Sequence, residues 1–377
     1  MSSTKWILLL LLLFVATKRE AAAQAAAGAN TKPDVLIFSD GEKLIGHIVS
    51  ATTASVIFKS DMAGQITADW SKIQELQSSA TYAVIPKGTK LRKSEDAKVV
   101  PQGPIALEDQ KVQVTPAAPA QPQTIPVPNV GNVVTEAEFQ RAFERTGFFH
   151  GWTGPAAGGI ALTESTQKTR TYTASLNLVR PVPAETWADL RSRTTFDLDE
   201  AYTSTSEPAT PRVKTSLFHA GVEQDWYVKP RLFLFVGATF DHSFSQGLVL
   251  QQNYGGGVGF VVFKNAKQEF DVKASVNYIR QEYQISSFDK NLIGSVFGET
   301  YTYKFDHGIQ FSEQGSYTAA WNDTKAYTAF GSASLTLPVY HRFGFSIGAV
   351  DTFLNEPPPA FKRNSFQFTV GASYSFE

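Results

Sequence analysis

The C-terminal stretch Ser365–Glu377 reads SFQFTVGASYSFE and alternates without interruption. Phe366, Phe368, Val370, Ala372, Tyr374 and Phe376 fall on one face of an extended chain, and Gln367, Thr369, Gly371, Ser373 and Ser375 on the other. One face is oily and the other is small and polar. A half-buried strand of a soluble protein alternates in the same way, so what the oily row meets depends on the strands before it.

Working back from this strand, strand signals repeat as far as Gly151 with no long helical period between them. The twelve segments include a third at Thr186 to Asp199, a fourth at Val213 to Tyr227, a seventh at Gln268 to Tyr283 and a last at Asn364 to Phe376. An even number of segments, each about ten residues or longer, predicts an all-β fold: an antiparallel transmembrane β-barrel of about 12 strands. The connections Val182 to Glu185, Lys229-Pro230, Lys264 to Lys267, Phe305 to His307 and Pro338 to His341 are short. Thr203 to Arg212, His242 to Val249, Gln284 to Asn291 and Leu354 to Arg363 are longer, the pattern of short periplasmic turns and longer outer loops.

The face opposite the oily one carries charge of both signs. Asp189, Arg191 and Arg193 share it in the third segment, His219, Glu223 and Asp225 in the fourth, and Glu269, Asp271 and Lys273 in the seventh. These are candidate lumen charges, able to cross a narrow polar interior as ion pairs. Phe366, Phe368, Val370, Tyr374 and Phe376 are the candidate lipid-facing residues. With 28 Phe, 13 Tyr and 6 Trp in the chain, aromatic girdles are expected, Trp226-Tyr227, Tyr340 and Tyr374 among them.

Upstream, Lys5 precedes an apolar run from Trp6 to Val15 and then alanine-rich sequence, so 1–27 reads as a signal peptide. No other apolar run reaches spanning length, which leaves a β-barrel as the means of crossing a membrane. Residues 34–93 read as a small periplasmic SH3/Sm-like β domain, opening with a hairpin at Ser39-Asp40-Gly41. Residues 94–134 are rich in Pro, Ala and Gln and read as a linker; 135–147 form a short amphipathic helix with a capping box at Thr135-Glu136-Ala137-Glu138; 148–377 hold the barrel. With 34 Lys+Arg against 35 Asp+Glu, no overall field favours nucleic acid, and the absence of Cys excludes disulfides and thiolate metal sites.

Two motifs carry competing readings. Gly255-Gly256-Gly257-Val258-Gly259 resembles a phosphate loop, but no Gly-Lys-Ser/Thr follows, so barrel curvature and close packing in the lumen are the preferred reading. Asp241-His242-Ser243 contains the residue types of a hydrolase, with His219 or His307 as a further partner. Adjacent strand residues point to opposite faces, however, and do not by themselves assemble a triad. The scattered histidines give no metal-ligand spacing, and no cofactor is expected.

A terminal strand ending in an aromatic residue is how many bacterial outer-membrane barrels finish, although Glu377 follows Phe376 here. From about Gly151 to Glu377 the chain resembles an uncharacterised bacterial outer-membrane β-barrel family catalogued as a domain of unknown function, some members of which carry the name salt-induced outer-membrane protein. The resemblance rests on Pro230-Arg231-Leu232, Asp241, Phe244, Gly247-Leu248, Leu250 and the glycines Gly255, Gly257 and Gly259, with Trp152-Thr153-Gly154 as the opening element. The family's S-G-N element is replaced by Glu164-Ser165-Thr166-Gln167. The resemblance implies residence in the cell outer membrane and no established catalytic residue. The expected role is therefore structural or that of a narrow channel rather than an enzyme. Expected partners are outer-membrane lipid, the barrel-assembly machinery through the C-terminal strand, and a periplasmic partner for residues 34–93. Alternatives are an outer-membrane lipid hydrolase and a soluble β protein that binds an apolar ligand.

Overall fold

A computed structural model describes residues 32–92, 94–117, 119–144, 147–164, 167–185, 187–207 and 212–376. The expected signal peptide and Glu377 lie outside the described residues. The chain divides into two units, Met1–Arg141 and Ala142–Glu377.

The first unit is a nine-stranded sheet of β1 (Asp34–Phe38), β2 (Lys43–Thr52), β3 (Ser55–Ser60), β4 (Gly64–Asp69), β5 (Ile73–Pro86), β6 (Gln102–Glu108), β7 (Lys111–Val114), β8 (Gln123–Pro126) and β9 (Val130–Thr135). The β1–β2 hairpin turns at Gly41, whose φ of 90° suits glycine, and the Asp40 carboxylate accepts the Glu42 N–H. Strand β9 pairs with both β2 and β5, so β2, β1, β5 and β9 close on themselves around Leu36, Phe58, Trp70 and Val133. Buried inside, Asp34 accepts bonds from Ile48 N (2.8 Å), the Tyr82 hydroxyl (3.1 Å) and the Ser78 hydroxyl.

The expected linker is the main correction, because β6 to β9 occupy residues 102–135 and belong to this sheet. Ile105, Leu107, Val112, Val114 and Ile125 alternate into the core, a period-two pattern that the prolines obscure. Pro104 and Pro126 are exposed within strands, and β8 ends the sheet; Pro116, Pro119 and Pro122 fall between strands. These are places where a missing N–H is tolerated. The helix α1 spans Glu136–Phe143 rather than 135–147. Its capping box forms: the Thr135 hydroxyl accepts Glu138 N, and the Glu138 carboxylate accepts Thr135 N.

The second unit is a closed antiparallel barrel of twelve strands. In order they are β10 (Gly154–Glu164), β11 (Lys168–Val182), β12 (Ser192–Ser206), β13 (Val213–Lys229), β14 (Leu232–Ser243), β15 (Leu248–Lys264), β16 (Gln268–Tyr283), β17 (Lys290–Lys304), β18 (Gln310–Ala320), β19 (Tyr327–Tyr340), β20 (Phe343–Leu354) and β21 (Asn364–Phe376). Closure is made by β21 on β10, from Gly154↔Phe376 to Gly158↔Ala372, the shortest ladder of the ring. The end that holds Gly154 and Phe376 is called the lower end below, and the other the upper end.

The third strand begins at Ser192 rather than Thr186, so Asp189 and Arg191 precede it in the 183–191 connection. That connection is long and lies at the lower end, while 165–167 and 244–247 at the upper end are short. Loop length therefore divides the two ends less cleanly than the sequence suggests, because β12 starts later than expected at the lower end while β14 and β15 extend into the expected His242 to Val249 loop at the upper end.

Candidate functional site: the barrel lumen

Strand alternation sends one row of each strand outward and the other into the lumen. The outward row of β21 is exposed, with Phe366 at 65% and Phe368 at 61%, together with Val370 and, less so, Phe376 and Tyr374. Ile160, Val222, Val258, Phe297 and Phe345 continue it on other strands. Glu200, Glu299, Glu313 and Asp351 interrupt it, the last three standing around the small residues Gly315, Gly331, Ala333 and Ala349. Near the lower end Phe263, Phe270, Tyr301 and Phe311 make a continuous aromatic band, while Tyr317, Tyr327 and Phe353 do so near the upper end.

The inward rows form two unlike walls. On β10, β11 and β17–β21 the lumen face between the two mouths carries no charged residue and is dominated by hydroxyls: Thr169, Thr171, Thr173, Thr300, Ser316, Ser332, Ser334, Ser346 and Thr369. Cross-strand hydroxyl pairs Thr169–Thr205 and Thr171–Thr203 (3.2 Å each) extend this lining to the edge of β12. On β12–β16 the charges gather into three groups.

Nearest the lower end, Arg193 reaches Asp225 (2.7 Å), Glu269 (3.0 Å) and Asp271 (2.8 Å) at once, and its guanidinium lies over the rings of Tyr227 and Phe233. The planar fork suits this, since each nitrogen takes its own carboxylate. Tyr227, expected in an outer girdle, instead turns inward and is buried beside Phe233. Above this group Lys273 pairs with Glu223 over the Phe235 ring. Higher still, His219 Nδ1 lies 2.5 Å from Asp241 Oδ1, and its Nε2 lies 2.9 Å from Asp197 Oδ2 off the hydrogen-bonding direction. Asp199 sits directly across from His219 on β12.

The imidazole of His219 stacks on Phe330, with centroids 4.7 Å apart and planes at 22°. Strands β13 and β19 are six places apart in a ring of twelve, so this contact joins opposite walls. The upper mouth is crossed as well. Gln246, in the β14–β15 turn, donates to Thr352 O and Arg363 O (2.9 Å each), and the Ser245 hydroxyl donates to Ser365 Oγ (3.0 Å).

The residues of the motif now have places. Asp241 holds His219 and accepts from Gln251 (3.1 Å). Phe244 opens the inward turn, Gly247 takes a φ of 67° against the Phe361 ring, and Leu248 packs with Tyr283 and Leu354. A Cβ on Gly255 would meet the Asn277 amide, one on Gly257 the Ala274 carbonyl, and one on Gly259 the Phe233 ring. The glycines make room for lumen side chains and for the neighbouring strand.

The family described as "Protein of unknown function, DUF481" matches residues 157–376, more than half of the chain. The chain belongs to this family. Solved structures similar to the DUF481 chain include the NanC porin, 10% identical over 59% of this chain and 100% of that one, with a TM-score of 0.35. Others are the β domain of the Bordetella autotransporter Brka, at 9% identity over 60% and 98% with a TM-score of 0.28, and BamA from Haemophilus ducreyi lacking POTRA domains 1–3, at 9% over 92% and 75% with a TM-score of 0.23. Likeness at these values fixes neither strand alignment nor role. No curated protein matches the chain in sequence.

Of the residues expected in the lumen, Arg193, Asp225, Glu269 and Asp271 are brought together, and Glu223 joins Lys273. Asp189 and Arg191 stand apart from that strand face. Phe330, Asp197, Asp199 and Gln246 are additions of the structure. Phe330 is the one aromatic in the inward row Thr328, Phe330, Ser332, Ser334, and that interruption was the available signal.

Proposed function

We propose that this DUF481 barrel is an integral outer-membrane protein, structural or narrow-channel in role, with the N-terminal sheet as a periplasmic interaction module. One observation carries the reading: a closed ring whose outward rows are exposed and largely apolar while its inward rows are polar and ion-paired. A closed sheet satisfies every strand edge within itself, which is what hydrocarbon requires. Apolar exposure on this scale is unsuited to water. The two crossings of the lumen, His219 to Phe330 and the 244–247 turn to the start of β21 and the end of β20, favour a low-conductance interior over a general diffusion pore, in line with a ring size between the filled eight-stranded and the open sixteen-stranded barrels. Outer-membrane lipid is the partner of the outward face, and the C-terminal strand is the element offered to an assembly machinery.

We read the role as non-catalytic. In support, the Ser243 hydroxyl bonds Ser245 (3.2 Å), while the nearby histidine on the lumen face, His219, is engaged by Asp241 and Asp197. Cell fractionation with a gel-mobility shift on boiling tests the membrane reading. Recovery of the protein wholly in the soluble periplasm, with no mobility shift, would overturn it.

A further inference from the structure

The inward-facing hydroxyl wall is not sealed. Thr171, Thr173, Ser332, Ser334, Ser346 and Thr369 all retain partial exposure although they point inside the ring, so water-sized space runs along this side of the lumen. The charged wall opposite touches the same space: the side chains of Asp197, Glu223, Asp241 and Glu269 are 16%, 21%, 18% and 26% exposed. A strip of hydrated lumen therefore lies between a neutral wall and a charged one.

The sign of that charged wall is lopsided. Seven carboxylates stand on it, against Arg193, Lys273 and His219, even with the imidazole counted as charged. The neutral wall does not redress the balance, because a hydroxyl solvates either sign. At the lower rim Lys264 pairs with Glu269 and Lys267 with Asp306; at the upper rim Lys290 is shared by Asp323 and Glu356. A second observation points the same way. Asp225 and Asp271 are fully or almost fully buried, and in each Oδ1 has no hydrogen-bond partner among the described residues. The Arg193 fork reaches one oxygen of each and leaves the other uncompensated.

We infer that the lumen is a path for small cations that excludes anions, with the His219–Phe330 stack as its narrowest point. This rests on the membrane reading above. Excess fixed charge in a narrow bore with low-dielectric walls concentrates counter-ions and repels co-ions, by about tenfold or more. The carboxylates that face the hydrated strip set the sign, and the stacked rings set the size limit.

The test is planar-bilayer recording of the purified full chain across a tenfold KCl gradient. Boiling-dependent mobility, checked on the same preparation, establishes that the barrel is folded before any current is interpreted. The expected result is small-amplitude conductance with a K⁺ to Cl⁻ permeability ratio of about ten, and hence a reversal potential of about 40 mV on the cation side, against the about 59 mV of ideal selectivity. Asp199→Asn combined with Glu223→Gln, near-isosteric changes that keep the packing, should lower the ratio severalfold without abolishing conductance. A folded barrel that prefers Cl⁻ or shows no preference overturns the inference. So does one that stays silent both as wild type and as Phe330→Ala. Failure to fractionate with membranes or to shift on boiling would instead strike at the membrane reading itself.

Discussion

His219 and Phe330 stack face to face across the barrel, from strands half the ring apart, with 4.7 Å between ring centroids. The imidazole is held from both sides, by Asp241 at 2.5 Å and Asp197 at 2.9 Å, while the phenyl ring rises from a row of hydroxyls. Two opposed walls are thus tied by one contact toward the upper end, where Phe330 pairs with Thr352. Removing the phenyl ring opens the bore there without unpairing any charge. Phe330→Ala is expected to raise single-channel conductance severalfold, with a loss of stability at the low end of the about 3–5 kcal/mol typical of a buried Phe→Ala change, since the space left can hydrate. Bilayer recording alongside thermal mobility-shift curves checks both.

Among the described residues, Arg193 alone reaches Asp225, Glu269 and Asp271 together. Its removal leaves the two buried aspartates without their partner, a loss of about 3–5 kcal/mol for a buried pair broken on one side. Arg193→Ala should therefore lower the temperature at which the folded band converts on a gel. Arg193→Lys should recover only part of the loss, because an ammonium lacks the planar fork that meets three carboxylates. Equal behaviour of Lys and Arg would refute the account of the fork.

Gly259 has the ring of Phe233 where a side chain would begin. Phe233 is itself fully buried beneath the Arg193 guanidinium, so it has little room to yield. Gly259→Val is expected to destabilise the barrel by about 1–3 kcal/mol, the usual cost of overpacking. Pairing it with Phe233→Ala should restore part of the loss, which a double-mutant cycle on mobility-shift temperatures measures.

The seam between β10 and β21 is the shortest ladder of the ring, and Ala157 stands directly opposite Ser373 within it. Directly paired residues of antiparallel strands lie about 4.5–5.5 Å apart at Cα, inside the range a disulfide spans. As the chain has no cysteine, Ala157→Cys with Ser373→Cys introduces a single defined pair. Oxidation should raise the conversion temperature, and reduction should return it. No difference between oxidised and reduced forms would show that the seam does not limit stability.

In the N-terminal unit, the single Tyr82 hydroxyl proton is shared between Asp34 (3.1 Å) and Ile48 O (3.0 Å). Burial, and then the Asp34 carboxylate, push the tyrosine pKa well above its ordinary value of 10.0. The group therefore keeps its proton in the folded state at a pH where the unfolded chain loses it. Its contribution is complete below about pH 10 and declines as pH rises beyond that. Denaturant titrations of this unit in the full chain should show a stability plateau that falls in alkali. Tyr82→Phe should flatten that fall while costing about 1 kcal/mol below it.

The alternation in Ser365–Phe376 and its counterparts made the strand number, the two faces and the closing role of the last strand legible, because side-chain period two is a local property of an extended chain. The capping box at Thr135 was legible for the same reason, since its partners are three residues apart. The strands within 102–135 were not, because proline content masks a short alternation that matters only once β5 supplies an edge to pair with. The glycines of β15 were visible as a motif, but their purpose depends on Asn277 and Phe233 arriving from other strands.

The sequence by itself therefore determined the all-β barrel, the oily and polar rows, and the presence of charge inside. Tertiary structure alone decided which charges meet, that Asp189 and Arg191 stand apart from them, and that Phe330 reaches His219. The physical reason is that alternation is set by one strand's own backbone, whereas contacts across a lumen depend on the ring's closure and stagger, which no single strand encodes.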